Sequence, residues 1–138
     1  SAAEAAAKVG GKIIGVDVDQ AGIIDGDYGE GMTVTSAMKG LAPTVKHLLS
    51  EVVAGNFANY GGKIETLGLV SADDPEANYV QIPMGEGTQW SDSFTQDDYK
   101  AMVADMFSGK ITVSNDISKA ASDFATVITV DDQGAIKG

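Results

Sequence analysis

The sequence predicts an α/β fold, a three-layer α/β/α arrangement around a mainly parallel sheet. Three features predict it. Lys12 to Gln20 is a near-continuous apolar run that ends in Asp17, Asp19 and Gln20, the pattern of a buried parallel strand finishing at a polar rim. An alanine-rich helix, a glycine turn and that strand follow one another within about twenty residues, which is half of a βαβ unit. The 138 residues suffice for one core and not for two.

Each element has its local reason. Ser1 to Val9 carries alanine at five positions and sets Glu4 four residues before Lys8, the favourable order on a helix. Gly10-Gly11 stops it, because glycine reaches the left-handed conformation without steric cost. After the strand, Ala21 to Gly31 holds four glycines and three acids and reads as a long surface loop. Met32 to Met38 is a short strand. Leu41 to Ala54 spaces Leu41, Val45, Leu48, Leu49, Val52 and Val53 by three and four, an amphipathic helix with Pro43 in its first turn. Lys63 to Val70 alternates enough for a strand, Ser71 to Asn78 is a polar loop, and Tyr79 to Ile82 is a strand stopped by Pro83. Thr95 caps a helix running to about Ser108, with Asp97 and Asp98 in its first turn. Lys110 to Val113 is extended, Ile117 to Phe124 a short helix, and Thr126 to Val130 a last strand closed by the turn Asp131 to Gly134.

Composition excludes several classes of function. Twenty acids against nine lysines and no arginine give a net charge of −11. Such a surface repels nucleic acid and anionic lipid alike, and it offers no guanidinium fork for phosphate. A neutral or cationic ligand suits it, and nucleic acid is not an expected partner. Without cysteine there is no disulfide, thiol nucleophile or thiolate metal site. No apolar run approaches the roughly 18 residues of a membrane span. The start, inside an alanine-rich helix with no signal peptide, reads as a cut rather than a beginning.

Few residues carry chemistry. His47 is the single histidine, set in the middle of an amphipathic helix, so no Ser/His/Asp order forms around it. A metal set would have to use Asp17, Asp19, Asp25, Asp27 and Glu30, whose spacing does not match a calcium loop. No metal and no cofactor is expected. Asp17 and Asp19 stand apart, because residues two apart on a strand share a face. Both carboxylates would then project at the rim, with Lys39 returning from the next strand to offset their repulsion. Carboxylates accept from vicinal sugar hydroxyls while a lysine donates to an oxygen beyond them. The alternative is that the two aspartates cap the next element or form a turn. Trp90 and Tyr28 would supply a flat wall for a ring, or simply pack.

Gly15-Val-Asp-Val-Asp-Gln20, followed by Thr35-Ser-Ala-Met-Lys39, resembles the basic-membrane-protein family of substrate-binding lipoproteins. These are the purine-nucleoside receptors of ABC-type importers, with the type I periplasmic-binding-protein fold. The Gly-Lys-Ile-Glu-Thr-Leu-Gly-Leu stretch and Trp90-Ser-Asp-Ser-Phe-Thr before a late helix fit the same order. The resemblance spans the whole chain but only the C-terminal portion of a family member. It implies a nucleoside, purine first, held in a cleft between two lobes, with Asp17 on the ribose hydroxyls, Lys39 on sugar oxygens, and Asp19 and Gln20 in support. It also implies hinge crossings near 32–40 and 58–64, an ABC permease as partner, and an extracytoplasmic protein anchored through a lipidated N-terminus absent from this chain. The base-stacking wall would come from an N-terminal portion that is missing here, or from a second copy.

The expectation is therefore a non-enzymatic importer component. Two alternatives stand beside it: a self-contained flavodoxin-like interaction or regulatory domain, and a hydrolase using Asp17 and Asp19 as an acid/base pair. Two carboxylates on one strand face lie closer than the ~6.5–9.5 Å of an inverting pair, which disfavours the hydrolase.

Overall fold

A computed structural model describes residues 1–125 and 127–134. Helix α1 (Ala2–Lys8) is closed at its start by Ser1 in a reciprocal capping box with Glu4, and Lys8 bonds Glu4 at 2.9 Å. Strand β1 (Ile13–Asp17) follows the glycine turn, and strand β2 (Thr33–Lys39) pairs with it in parallel, Gly15 beside Ser36 and Asp17 beside Met38. A two-residue strand β3 (Val80–Gln81) joins the other edge of β2, antiparallel, with Val80 beside Lys39. The chain is thus mixed α/β with a sheet ordered β1-β2-β3. One pairing is parallel and one antiparallel, so the described sheet is mixed.

The stretch expected to be a loop after β1 is largely helical. Helix α2 (Ala21–Tyr28) makes the crossover between the two parallel strands. Two glycines inside it each cost about 1 kcal/mol of helix propensity. Three side-chain bonds oppose that cost: the Asp19 carboxylate accepts the N–H of Ala21 locally, and Asp25 accepts the N–H groups of Gly31 and Thr33 beyond the helix. Parallel strands need a crossover, and that need outweighs local propensity.

Helix α3 (Leu41–Val53) lies where its periodicity predicts it, but none of its residues is buried. Val45, Leu49 and Val53 line an open apolar trough and are 57%, 59% and 88% exposed. Helix α4 (Gln96–Phe107) has Thr95 as its cap, in a capping box with Asp98. Its inner face buries Tyr99 and Val103, which with Ala3 and Met32 form the buried apolar core.

Three expected elements are missing from their places. Lys63 to Val70 forms no strand, and Ile64 is fully exposed; the Gly68 carbonyl accepts the N–H of Tyr79. Alternation selects extended backbone, but a strand also needs a partner edge. Only a three-residue 3₁₀ turn, Ala121–Asp123, stands within the helix expected over Ile117 to Phe124. Thr126 lies outside the described residues, and Val127 to Val130 forms no strand.

Candidate functional site

The carboxyl ends of β1 and β2 lie side by side, because the two strands are parallel and in register there. That end of a parallel pair is where α/β proteins take ligands. Asp17 closes β1 and Lys39 closes β2, and Oδ1 of Asp17 meets Nζ of Lys39 at 2.6 Å. Both side chains are more than half exposed, so water screens the pair and it adds at most about 1 kcal/mol to stability. Among the described residues, Oδ2 of Asp17 has no partner, and the Lys39 ammonium makes an ion pair with Oδ1 but no hydrogen bond. One acceptor and one or more donors are therefore presented together to solvent.

The backbone under Asp17 is unusual. Its φ is +71°, the only positive value at a non-glycine among the described residues. The N–H of Val18 bonds the carbonyl of Val16 at 2.9 Å, which makes a γ-turn centred on Asp17. This φ belongs to the rarer, strained form of that turn. Strain of order 1–3 kcal/mol persists only where the surroundings impose it. Here Gln20 imposes it: its Oε1 accepts the N–H of Val16, and its own N–H donates to Oγ of the fully buried Ser36. Gly15 leaves the room for this arrangement, since a Cβ there would stand 2.5 Å from Ser36 Oγ and 3.0 Å from Gln20 Oε1.

The same turn corrects the expected geometry of the acids. β1 ends at Asp17, and a left-handed residue breaks the two-residue alternation, so Asp17 and Asp19 do not share a strand face. The carboxylate of Asp19 accepts the N–H of Ala21 at 3.1 Å, at the entry to α2, and rests on Gly87. Asp19 thus forms a local turn just ahead of α2, whose N-cap position is held by Gln20. Gln20 braces the turn instead of presenting its carbonyl to a ligand.

The two aromatic residues considered as a wall are engaged elsewhere. Trp90 stacks near-parallel on Phe94 at 6.3 Å and lies 6.1 Å from Tyr99. The hydroxyl of Tyr28 bonds Ser1 Oγ at 3.1 Å and ties α2 to α1. His47 packs edge-on against Tyr60 at 5.6 Å. No group of three or more His, Asp or Glu side chains among the described residues could hold a metal ion.

The opposite end of the strands is densely bonded. The Asp25 carboxylate takes the N–H groups of Gly31 and Thr33 at 2.9 and 2.8 Å. Its pKa is lowered, first by the neighbouring Thr33 hydroxyl; desolvation comes next and raises it, and these two amides and Lys12 lower it further. The hydroxyl's geometry falls short of a hydrogen bond, and the two amides make the well-formed ones. Gln89 donates to the carbonyls of Gly31 and Thr33 at 2.8 and 2.7 Å and accepts from Lys12 at 2.6 Å. A lone glutamine in a polar loop gives no sequence signal of that role.

Compared with family models, curated proteins and solved structures, the chain matches none.

Proposed function

We propose that this chain is the C-terminal part of a nucleoside-binding component of an ABC-type importer, with Asp17 and Lys39 as the sugar-holding pair. The observation that carries the reading is the 2.6 Å pairing of Asp17 with Lys39 at adjoining strand ends, with both side chains open to solvent. A vicinal diol fits it: one hydroxyl donates to Oδ2 of Asp17 and its neighbour accepts from Nζ of Lys39. A neutral ligand also suits a chain of net charge −11. The finer architecture belongs to the same reading: a three-layer lobe of a type I periplasmic-binding-protein fold, hinged near 32–40 and 58–64. The exposed apolar side of α3 supports it, since a bare stripe of that kind asks for a covering surface, either the N-terminal portion or a second copy. Permease docking and a lipidated extracytoplasmic anchor follow from the resemblance alone. Catalysis is not part of the proposal, because Asp19 is committed to α2 and no longer stands beside Asp17 as an acid/base partner.

Titration calorimetry of the full encoded protein with adenosine, guanosine, inosine, cytidine and uridine tests it. Saturable heat with at least one purine nucleoside, lost in Lys39→Met, is expected. No saturable heat and no thermal shift with any of the five would sink the nucleoside assignment. Release of free base or sugar after long incubation would favour the hydrolase.

A further inference from the structure

The loop between β3 and α4 reaches the strand-end rim at Gly87. A Cβ built on Gly87 would lie 2.6 Å from both Cγ and Oδ1 of Asp19, and nearer still to Oδ2. The carboxylate occupies the space that any side chain at 87 would need. The backbone does not itself require glycine there, because φ of Gly87 lies outside the left-handed region that L-residues avoid. Contact with Asp19 is therefore the physical reason found for glycine at this position. The loop is well anchored on either side of the contact. Oγ1 of Thr88 bonds Oγ1 of Thr35 at 2.8 Å and the Pro83 carbonyl at 2.6 Å, and the N–H of Gln89 bonds the carbonyl of Val34 at 2.8 Å. A fixed backbone thus presses on one face of the carboxylate, while the N–H of Ala21 holds Oδ1 from another side.

We infer that Gly87 is a positioning residue for the sugar-binding rim: it fixes Asp19, and through Asp19 the start of α2 and the γ-turn that presents Asp17 to the ligand. The inference rests on the nucleoside reading above. Asp19 follows Asp17 by two residues and precedes Gln20, whose side chain braces the turn, so a displaced Asp19 carries the turn with it. Small misplacements at a binding centre are costly, on the order of tenfold to a hundredfold.

The test is a double-mutant cycle on the full encoded protein, titrated with the purine nucleoside that binds best, using Gly87→Ala, Asp19→Ala and both together. Thermal melting is measured in parallel. Gly87→Ala is expected to weaken binding at least about tenfold. In the Asp19→Ala background, where the carboxylate is gone, the same change is expected to weaken it by less than about twofold. Asp19→Asn, which keeps the acceptor for Ala21 and the size, is expected to keep the melting temperature and stay sensitive to Gly87→Ala. Wild-type binding with Gly87→Ala unchanged would overturn the positioning role alone, as would equal losses in both backgrounds. Absence of wild-type binding would instead overturn the nucleoside reading, and this inference with it.

Discussion

The two ends of the β1–β2 pair are built on opposite plans. At the amino end, Asp25, Gln89 and Lys12 stitch the entry to β2 through a dense set of bonds to backbone and to one another. At the carboxyl end, Asp17 and Lys39 hold only each other, in solvent, on a strained turn. Acids occur at both ends, so residue type does not tell them apart; what separates them is whether the carboxylate is used up by the chain's own donors. A carboxylate saturated with amides is structural. One left with an open oxygen beside an ammonium keeps acceptor capacity that the chain itself does not use.

The contrast breaks most severely at Asp25. Asp25→Ala removes the acceptor for two backbone amides and leaves the entry to β2 unsupported. Urea unfolding of that variant is expected to show the largest stability loss among the strand-end substitutions. Its pH dependence is predictable as well. The folded-state pKa of Asp25 is depressed, so its contribution is fully present above the ordinary carboxylate value of about 3.9 and is lost as pH falls through the lowered folded value. Wild type is expected to lose stability on acidification below about pH 4 more steeply than Asp25→Ala does. Parallel curves would remove Asp25 from its stitching role.

Gln89→Ala comes next in size. It deletes two bonds to the carbonyls of Gly31 and Thr33 and one from Lys12, all partly solvated, so about 1–2 kcal/mol is expected, read from the urea midpoint at unchanged slope. Ligand affinity should stay within about twofold, because Gln89 serves the end remote from Asp17. A large affinity loss at unchanged stability would mean that the two ends are coupled.

How much of this was legible in the sequence follows the same division. The pairing of Asp17 with Lys39 could be read, because two short strands with an intervening crossover bring their last residues together whenever they run parallel. α3 and α4 could be read from spacing and caps. The helix between the strands could not: Gly22 and Gly26 argue for a loop, and the bonds that outweigh them come from Gly31 and Thr33, outside the segment. Nor could the left-handed φ of Asp17, which depends on Gln20 and Ser36 and moves Asp19 off the expected face. The alternation of Lys63 to Val70 was legible but insufficient, since pairing depends on an edge that no local pattern encodes. Gln89 and Gly87 carried no signal, because their partners lie more than fifty residues away.

A smaller change in stability than at Asp25 or Gln89 is expected at Asp17, and it separates strain from function most cleanly. Asp17→Gly relieves a left-handed conformation that costs an ordinary residue roughly 1–2 kcal/mol. Against that, glycine adds about 0.5–1 kcal/mol of unfolded-state freedom, and loss of the solvated pair with Lys39 removes at most about 1 kcal/mol. The terms nearly cancel, so stability is expected to stay within about 1 kcal/mol of wild type by urea titration. Nucleoside binding, by contrast, is expected to be lost, because the open carboxylate oxygen goes with the side chain. Asp17→Asn divides the question further. Asparagine tolerates the same φ and keeps one acceptor oxygen but gives up the charge that holds Lys39. Partial retention of affinity in Asn, with none in Gly, would assign the aspartate's role to hydrogen bonding. Full retention in Gly would mean that the turn is strained for a reason unconnected with ligand, and the carboxyl end of the sheet would lose its claim to be the binding end.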